Sequence, residues 1–354
     1  MMVIRVDRRH FIAAIGALGV ACQARVRGSD LAPHLMTVLG PVALTDTGFT
    51  LAHEHVVADL RPWSERAPVE VDRDKILRTV MPYVLQAKHL GCRTIIDCTA
   101  SNLGRDPRLL QAVARKSGMH IVTTTGLYAA ADQQFLPDFA KTATARRFAE
   151  MWIDEWTHGI DGSGVRPGLI KLGFNGGALT PVEINLIDAA AETHAKTGLV
   201  IGAHVGPWRV PDPGANAFSA LQQLDRLESR GVDGSAYIWY HAQNEKQTEH
   251  HARAARRGAW VSFDGVAPDS IEAHVGLILN LKSSGVLDHV LVSHDAGWYT
   301  IGTKDGGAFK PYSPVFTDLI PRLRQKGFTG DEITRIFVTN PAAAYRIKTR
   351  LKAR

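Results

Sequence analysis

The chain has 354 residues, 45% of them apolar and 21% charged, the balance of a globular protein with a large core. Its formal charge of +6 belongs to the ends: residues 1–28 carry a net +4 and residues 346–354 carry five Lys or Arg, which leaves about −3 for the body. No basic patch with interleaved aromatics is present, which argues against a nucleic-acid partner.

At the start of the chain, Arg8-Arg9 precede an apolar run from Phe11 to Ala21 and then Cys22-Gln23-Ala24. This order resembles a twin-arginine export signal, so residues 1–27 are expected to be such a signal and the mature protein periplasmic or secreted; a cytoplasmic enzyme with a basic start is the alternative. The run is too short to span a bilayer, and no other segment could, so no membrane span is expected after processing. Cys22 lacks a lipoprotein box, since Gly19 stands where leucine is usual. Cys92 and Cys98 flank one expected strand, roughly 20 Å apart if extended, too far for a disulfide.

Beyond the leader, Met36–Leu44 reads as an extended lead-in with a turn at Thr45–Gly48, and strand and helix patterns then alternate. Strands are expected at Phe49–His55, Arg93–Cys98, His120–Thr125, Leu169–Leu172, Val200–His204, Tyr237–His241, Trp260–Asp264 and Val290–Asp295. Helices are expected between them at Asp72–Leu90, Asp106–Ser117, Phe139–His158, Thr180–Gly198, Ala217–Ser229, Gln247–Arg257 and Ile271–Ser283. Thr180, Pro181 and Glu183 form a capping box, Ser313-Pro314 start a last helix, and Asn340-Pro341 open a short closing one. Eight strand-then-helix units predict an α/β fold, a single-domain (β/α)8 TIM barrel over residues 36–345, with 346–354 a basic C-terminal tail. An open doubly wound sheet competes, but the glycine-rich loop it needs after the first strand is replaced here by His53-Glu54-His55.

In such a barrel the strand C-termini ring one mouth. The first strand ends in His53 and His55, spaced to face one side, the fourth in Lys171, the fifth in His204, the sixth in His241 and the eighth in Asp295. These six residues carry metal-binding and base chemistry. A protonated Lys171 would repel metal ions; its carbamate, formed with CO2, offers two anionic oxygens instead. Four His, a carbamate and an Asp suit two divalent ions, zinc above all, with a bridging water between them.

Thr37-Val38-Leu39-Gly40-Pro41 and Gly48 to His55, Ile170-Lys171, Ala203-His204, Leu291 to Asp295 and Thr339-Asn340-Pro341-Ala342 together resemble the phosphotriesterase family of the amidohydrolase superfamily. The resemblance implies a binuclear barrel in which His53, His55 and Asp295 hold the more buried ion and His204 and His241 the more exposed one. Carboxylated Lys171 would bridge the two. Tyr128 matches an aromatic that lines the family's pocket. The pattern departs from characterised triesterases and lactonases where Ala242-Gln243-Asn244 follow His241 and Gly265 follows Asp264, so their proton relay is missing.

The glycine-rich segment between Asp295 and Ser313 reads as a lid or specificity loop, with Trp298 and Tyr299 facing substrate; Trp208 is a weaker candidate of the same kind. His158, His194, His250, His251, His274 and His289 are expected at the surface of helices. The resulting expectation is a metal-dependent hydrolase of small-molecule substrates. A metal-bridging hydroxide would attack an ester-like phosphorus or carbonyl centre, and Asp295 would accept its proton. Organophosphate triester-type activity is the first reading. A lactonase or carboxylic ester hydrolase and a catalytically idle binding protein are the alternatives. The oligomeric state is left open, a homodimer being one option.

Overall fold

Ten residues, Phe49–Ala58, form a strand in which all but Phe49 are buried. Around it the chain closes a barrel, seen in a computed structural model that describes residues 32–66, 71–206 and 214–353. The expected export signal and Trp208 lie outside the described residues. A hairpin of β1 (His34–Thr37) and β2 (Gly40–Ala43) leads into that strand, β3. The remaining strands are β4 (Cys92–Asp97), β5 (His120–Val122), β6 (Thr124–Thr125), β7 (Leu169–Asn175), β8 (Val200–Gly206), β9 (Tyr237–Tyr240), β10 (Trp260–Phe263), β11 (Val290–Val292) and β12 (Gly297–Thr300).

Beyond the hairpin, every pairing between strands among the described residues is parallel, and only isolated bridges such as Gly297–Lys310 run antiparallel. β3 pairs with β4 and β4 with β5; after Thr123, β6 continues the same stave and pairs with β7. β7 to β11 then follow in order. The ring closes where β11 runs on into β12. Asp295 N donates to His53 O at 3.1 Å, His55 N donates to Ala296 O at 2.9 Å, and β12 pairs with β3. Eight staves with crossover helices make the TIM barrel expected from the alternation.

The helices α1 (Arg73–His89), α2 (Pro107–Ser117), α3 (Ala145–His158), α4 (Pro181–Thr197), α5 (Ala215–Ser229), α6 (Glu249–Arg256) and α7 (Ile271–Ser283) pack outside the ring. The α4 capping box is present, Thr180 and Glu183 each satisfying the other's backbone. Helix α3 starts later than expected, because the Thr144 hydroxyl caps it and Asp138–Lys141 form a separate short turn. Inside the ring, Leu35, Ala52, Ile96, Val200, Tyr240 and Leu291 belong to one cluster that fills the barrel beneath the site.

Two expectations are corrected. His194, His251 and His274 are buried, not at the surface, since they lie on the inner faces of their helices with ring nitrogens bonded to backbone carbonyls. The basic C-terminal residues, expected only as a tail, dock on the barrel. Ile347 N bonds His34 O, Lys348 N bonds Gly198 O, and the buried Arg350 donates N to His194 Nε2 at 2.8 Å.

The ring closure leaves no room at Gly297, where a Cβ would sit 1.7 Å from His55 O at a φ of +95°. Gly276, inside α7, has open space around its missing Cβ. Gly297→Ala is therefore expected to destabilise by about 3 kcal/mol or more, and Gly276→Ala to stabilise by about 0.5–1 kcal/mol. Thermal melts of the two variants check both signs.

Candidate active site

Within the barrel, a cavity of about 300 Å³ is lined by His53, His55, Lys171, His204, His241 and Asp295 together, with Tyr128 and Trp298 on its walls. Four of the six lie inside their strands and not at the ends, because β3 runs on to Ala58, β7 to Asn175 and β8 to Gly206. The site therefore sits a layer below the mouth. The register between β3 and β4 shifts between Leu51 and Glu54. This bulge lets Ala52 pack in the barrel interior while His53 and His55 both face the cavity. His241 and Asp295 follow the last residues of β9 and β11 in left-handed backbone, at φ of +59° and +53°.

Hydrogen bonds behind the ligands fix where their protons lie. Thr99 Oγ1 donates to Val57 O at 3.1 Å, so it accepts from His55 Nδ1 at 2.8 Å, and His55 Nε2 faces the cavity bare. Asp264 does the same for two imidazoles at once. Its Oδ2 lies 2.7 Å from His53 Nδ1 and its Oδ1 2.7 Å from His241 Nδ1, so each Nδ1 carries a proton and each Nε2 is turned to the cavity. Ser262 Oγ, Gln243 Nε2 and His241 N also donate to Asp264. His204 Nε2 lies 3.0 Å from Tyr128 OH.

Asp295 Oδ1 is 3.0 Å from His55 Nε2 and 3.7 Å from His53 Nε2. No hydrogen-bond donor reaches it among the described residues. Three lone-pair-bearing atoms thus crowd together with no proton to separate them, an arrangement that a cation relieves. His53, His55 and Asp295 could hold a metal ion by their spacing. The neighbouring group of His53, His241 and Asp264 is different, because there the carboxylate accepts the protons of both Nδ1 atoms and so orients ligands from behind. Lys171 Nζ stands 3.5 Å from His53 Nε2 and over the ring of Tyr240.

Burial and the Lys171 charge press the His53 pKa down to about 3, and burial with the neighbouring His241 holds His204 well below the usual histidine range. Burial also lowers Lys171. Burial would raise Asp295 and Asp264, but the surrounding histidines outweigh it and both carboxyls stay low. His241 ends above its usual range, since the Asp264 carboxylate overcomes the effect of burial.

Trp298 faces the cavity as expected, stacked on His55 with ring centroids 3.7 Å apart, and its Nε1 donates to Asp295 O at 2.8 Å. Tyr299 does not line the cavity. It follows Trp298 on β12, where successive side chains take opposite faces, and it packs in the cluster under α1 and α2. The segment expected to be a lid is tied at its base by β12, by Gly297–Lys310 backbone bonds, and by Tyr312 OH donating to His55 O. Asp264, Thr99 and Glu54 were not singled out from the sequence. Asp264 follows β10 at the same station as the other strand-end residues, which was the available signal; Thr99 and Glu54 carried none.

The phosphotriesterase family's sequence model matches residues 33–345. The chain belongs to the phosphotriesterase family. A phosphotriesterase homology protein of Escherichia coli K12 is 29% identical over 306 residues, covering 85% of this chain and 98% of that protein. An aryldialkylphosphatase of Saccharolobus solfataricus is 27% identical, covering 84% and 94%. The organophosphorus hydrolase of Deinococcus radiodurans superposes with a TM-score of 0.76 at 27% identity, over 90% of this chain and 99% of that one. Phosphotriesterase-family membership makes this chain a metal-dependent hydrolase acting on ester bonds of small molecules.

Asp264→Asn can accept from only one of the two imidazoles and must offer the other an N–H. Metal affinity is expected to fall 10–100-fold, read by chelator competition. The metal-free protein is also acid-sensitive. His53 and His251, held at about 3 and about 4 in the fold, protonate first in the unfolded chain, so their contribution to stability is full above pH 6.5 and is lost as pH falls from 6.5 through about 4 to about 3. Raised His241 works the other way, but more histidines are lowered. The melting temperature of the chelated protein should drop steadily across that range.

Proposed function

We propose that this chain opens uncharged lactones and related carboxylic esters at two divalent ions, zinc in the natural enzyme. The observation that carries the reading is the lining of the cavity. Leu60, Leu103, Ala131, Phe135 and Trp298 form its walls, and its charged residues, Lys171 and Asp295, belong to the proposed ligand set. Such a pocket suits a neutral substrate with an apolar body.

His53, His55 and Asp295 would hold one ion and His204 and His241 the other, with a carbamate of Lys171 between them. Burial favours the neutral amine of Lys171, the form that adds to CO2 with release of a proton. The ions supply Lewis acidity, making a water nucleophilic near neutral pH and polarising the ester oxygen. Asp295 accepts the proton of the attacking water and returns it to the departing oxygen. In a lactone that oxygen stays tethered in the cavity, within reach of Asp295. The replacement of the family's relay by Ala242-Gln243-Asn244 and Gly265 is then tolerated, because no proton needs to follow a leaving group out. Tyr128 OH, beside His204, is placed to hydrogen-bond the polarised carbonyl oxygen.

Phosphotriester hydrolysis is the second reading, favoured by the likeness to the Saccharolobus aryldialkylphosphatase. An aryloxide departs without a proton, so the same site serves it. Export through Arg8-Arg9 would place the activity outside the cytoplasm.

Assayed against lactones, aryl esters and phosphotriesters, the purified protein should turn over lactones with the highest kcat/KM, and a chelator should abolish every activity. A lactone rate below that for phosphotriesters reverses the order of the two readings. Lys171→Ala should lose metal and turnover together, and acetate or propionate should partly restore both by standing in for the carbamate. Inhibition by the added carboxylate would point instead to an ammonium that binds anions.

A further inference from the structure

Glu54 lies between His53 and His55 on β3, is fully buried, and points away from the cavity. Its Oε1 accepts from Ser293 Oγ at 2.7 Å, His294 N at 3.1 Å and His294 Nδ1 at 2.6 Å, and its Oε2 accepts from Ala296 N at 2.8 Å. These donors bracket Asp295 on both sides. Asp295 itself sits at a φ of +53° with Oδ1 free of hydrogen-bond donors among the described residues. Left-handed backbone is uncommon for a residue with a side chain, so the peptides on either side must hold it there. His294 Nε2 in turn accepts from Val315 N at 2.9 Å, the residue that opens the helical segment after the long loop. One carboxylate therefore secures both ends of the segment from Asp295 to Val315.

We propose that Glu54 and His294 form a positioning pair that sets the Asp295 carboxylate against His53 and His55 for the metal. The inference rests on the reading of Asp295 as a ligand. Among the described residues Glu54 accepts from four donors and donates to none, which suits a carboxylate. A glutamine at this position has one accepting oxygen. Its NH2 group would face either the Ala296 N–H or the three donors around Ser293 and His294, and the peptides flanking Asp295 would have to turn. His294 extends the clamp, because its ring is long enough to meet Glu54 and Val315 at once.

The test is Glu54→Gln in the full-length, zinc-loaded protein, with the two zinc dissociation constants measured by chelator competition alongside thermal melts. The expected result is a loss of at least tenfold in affinity for one ion, with the other changed less than threefold. In an Asp295→Ala background the same substitution should change neither constant by more than twofold, since the carboxylate it positions is gone. A purely structural role would lower the melting temperature while leaving the constants unmoved, or would cost the same in both backgrounds; either result overturns the pairing. Should Glu54→Gln not fold, His294→Gln leaves β3 intact and should weaken the same ion at least threefold, and an unchanged constant overturns the proposal. A wild-type protein that binds fewer than two ions overturns the ligand reading as well, whereas two ions with an unaffected Glu54→Gln overturns the pairing alone.

Discussion

Acceptor atoms of His53, His55 and Asp295 face one another across the cavity because the imidazole Nδ1 protons are turned outward. His55 gives its proton to Thr99, and His53 and His241 give theirs to Asp264. The floor follows the same rule. Tyr345 OH donates to Ala52 O, Tyr240 OH donates to Tyr345 OH, and the Cys98 thiol donates to Tyr240 OH. What remains is a cluster of lone pairs with Asp295 Oδ1 at its edge. Lone pairs about 3 Å apart repel, so the arrangement favours positive charge among them. The chemistry of a metal-dependent hydrolase follows from that constraint.

The barrel supplies the constraint through ordinary features of backbone. A bulge in β3 turns His53 inward beside Ala52, left-handed residues after β9 and β11 aim His241 and Asp295, and β12 seals the last stave against β3. Trp298 completes the wall. Its ring covers His55 and its Nε1 holds Asp295 O, so one side chain both closes the site and fixes the residue in front of it. The two carboxylates behind the site divide the work. Asp264 sets tautomers, and Glu54 gathers the backbone on either side of Asp295.

Much of this was legible in the sequence. The period of apolar residues and the caps point to the eight units, and the six polar residues recurring where the pattern ends each strand point to the cavity, although four of them lie inside longer strands. What escaped were features set by neighbours in space. Strand lengths were underestimated because β7 and β8 continue through Gly173 and Gly206, which pattern alone reads as breaks. Tyr299 was misplaced because a stretch that reads as loop is a strand with alternating faces. The buried histidines are not legible because a helix's inner face is read from apolar residues, and the carbonyls that satisfy His194 and His251 come from residues beyond the ends of their helices. Asp264 and Glu54 look in sequence like any strand carboxylate; their partners lie up to 242 residues away.

Anomalous diffraction from crystals of natively purified protein decides whether the cluster of acceptors holds metal. Two metal peaks are expected in the cavity, one beside His53, His55 and Asp295 and the other beside His204 and His241, with added density on Lys171 Nζ between them. A single peak or none, together with an unmodified ammonium at Lys171, would contradict the two-metal site.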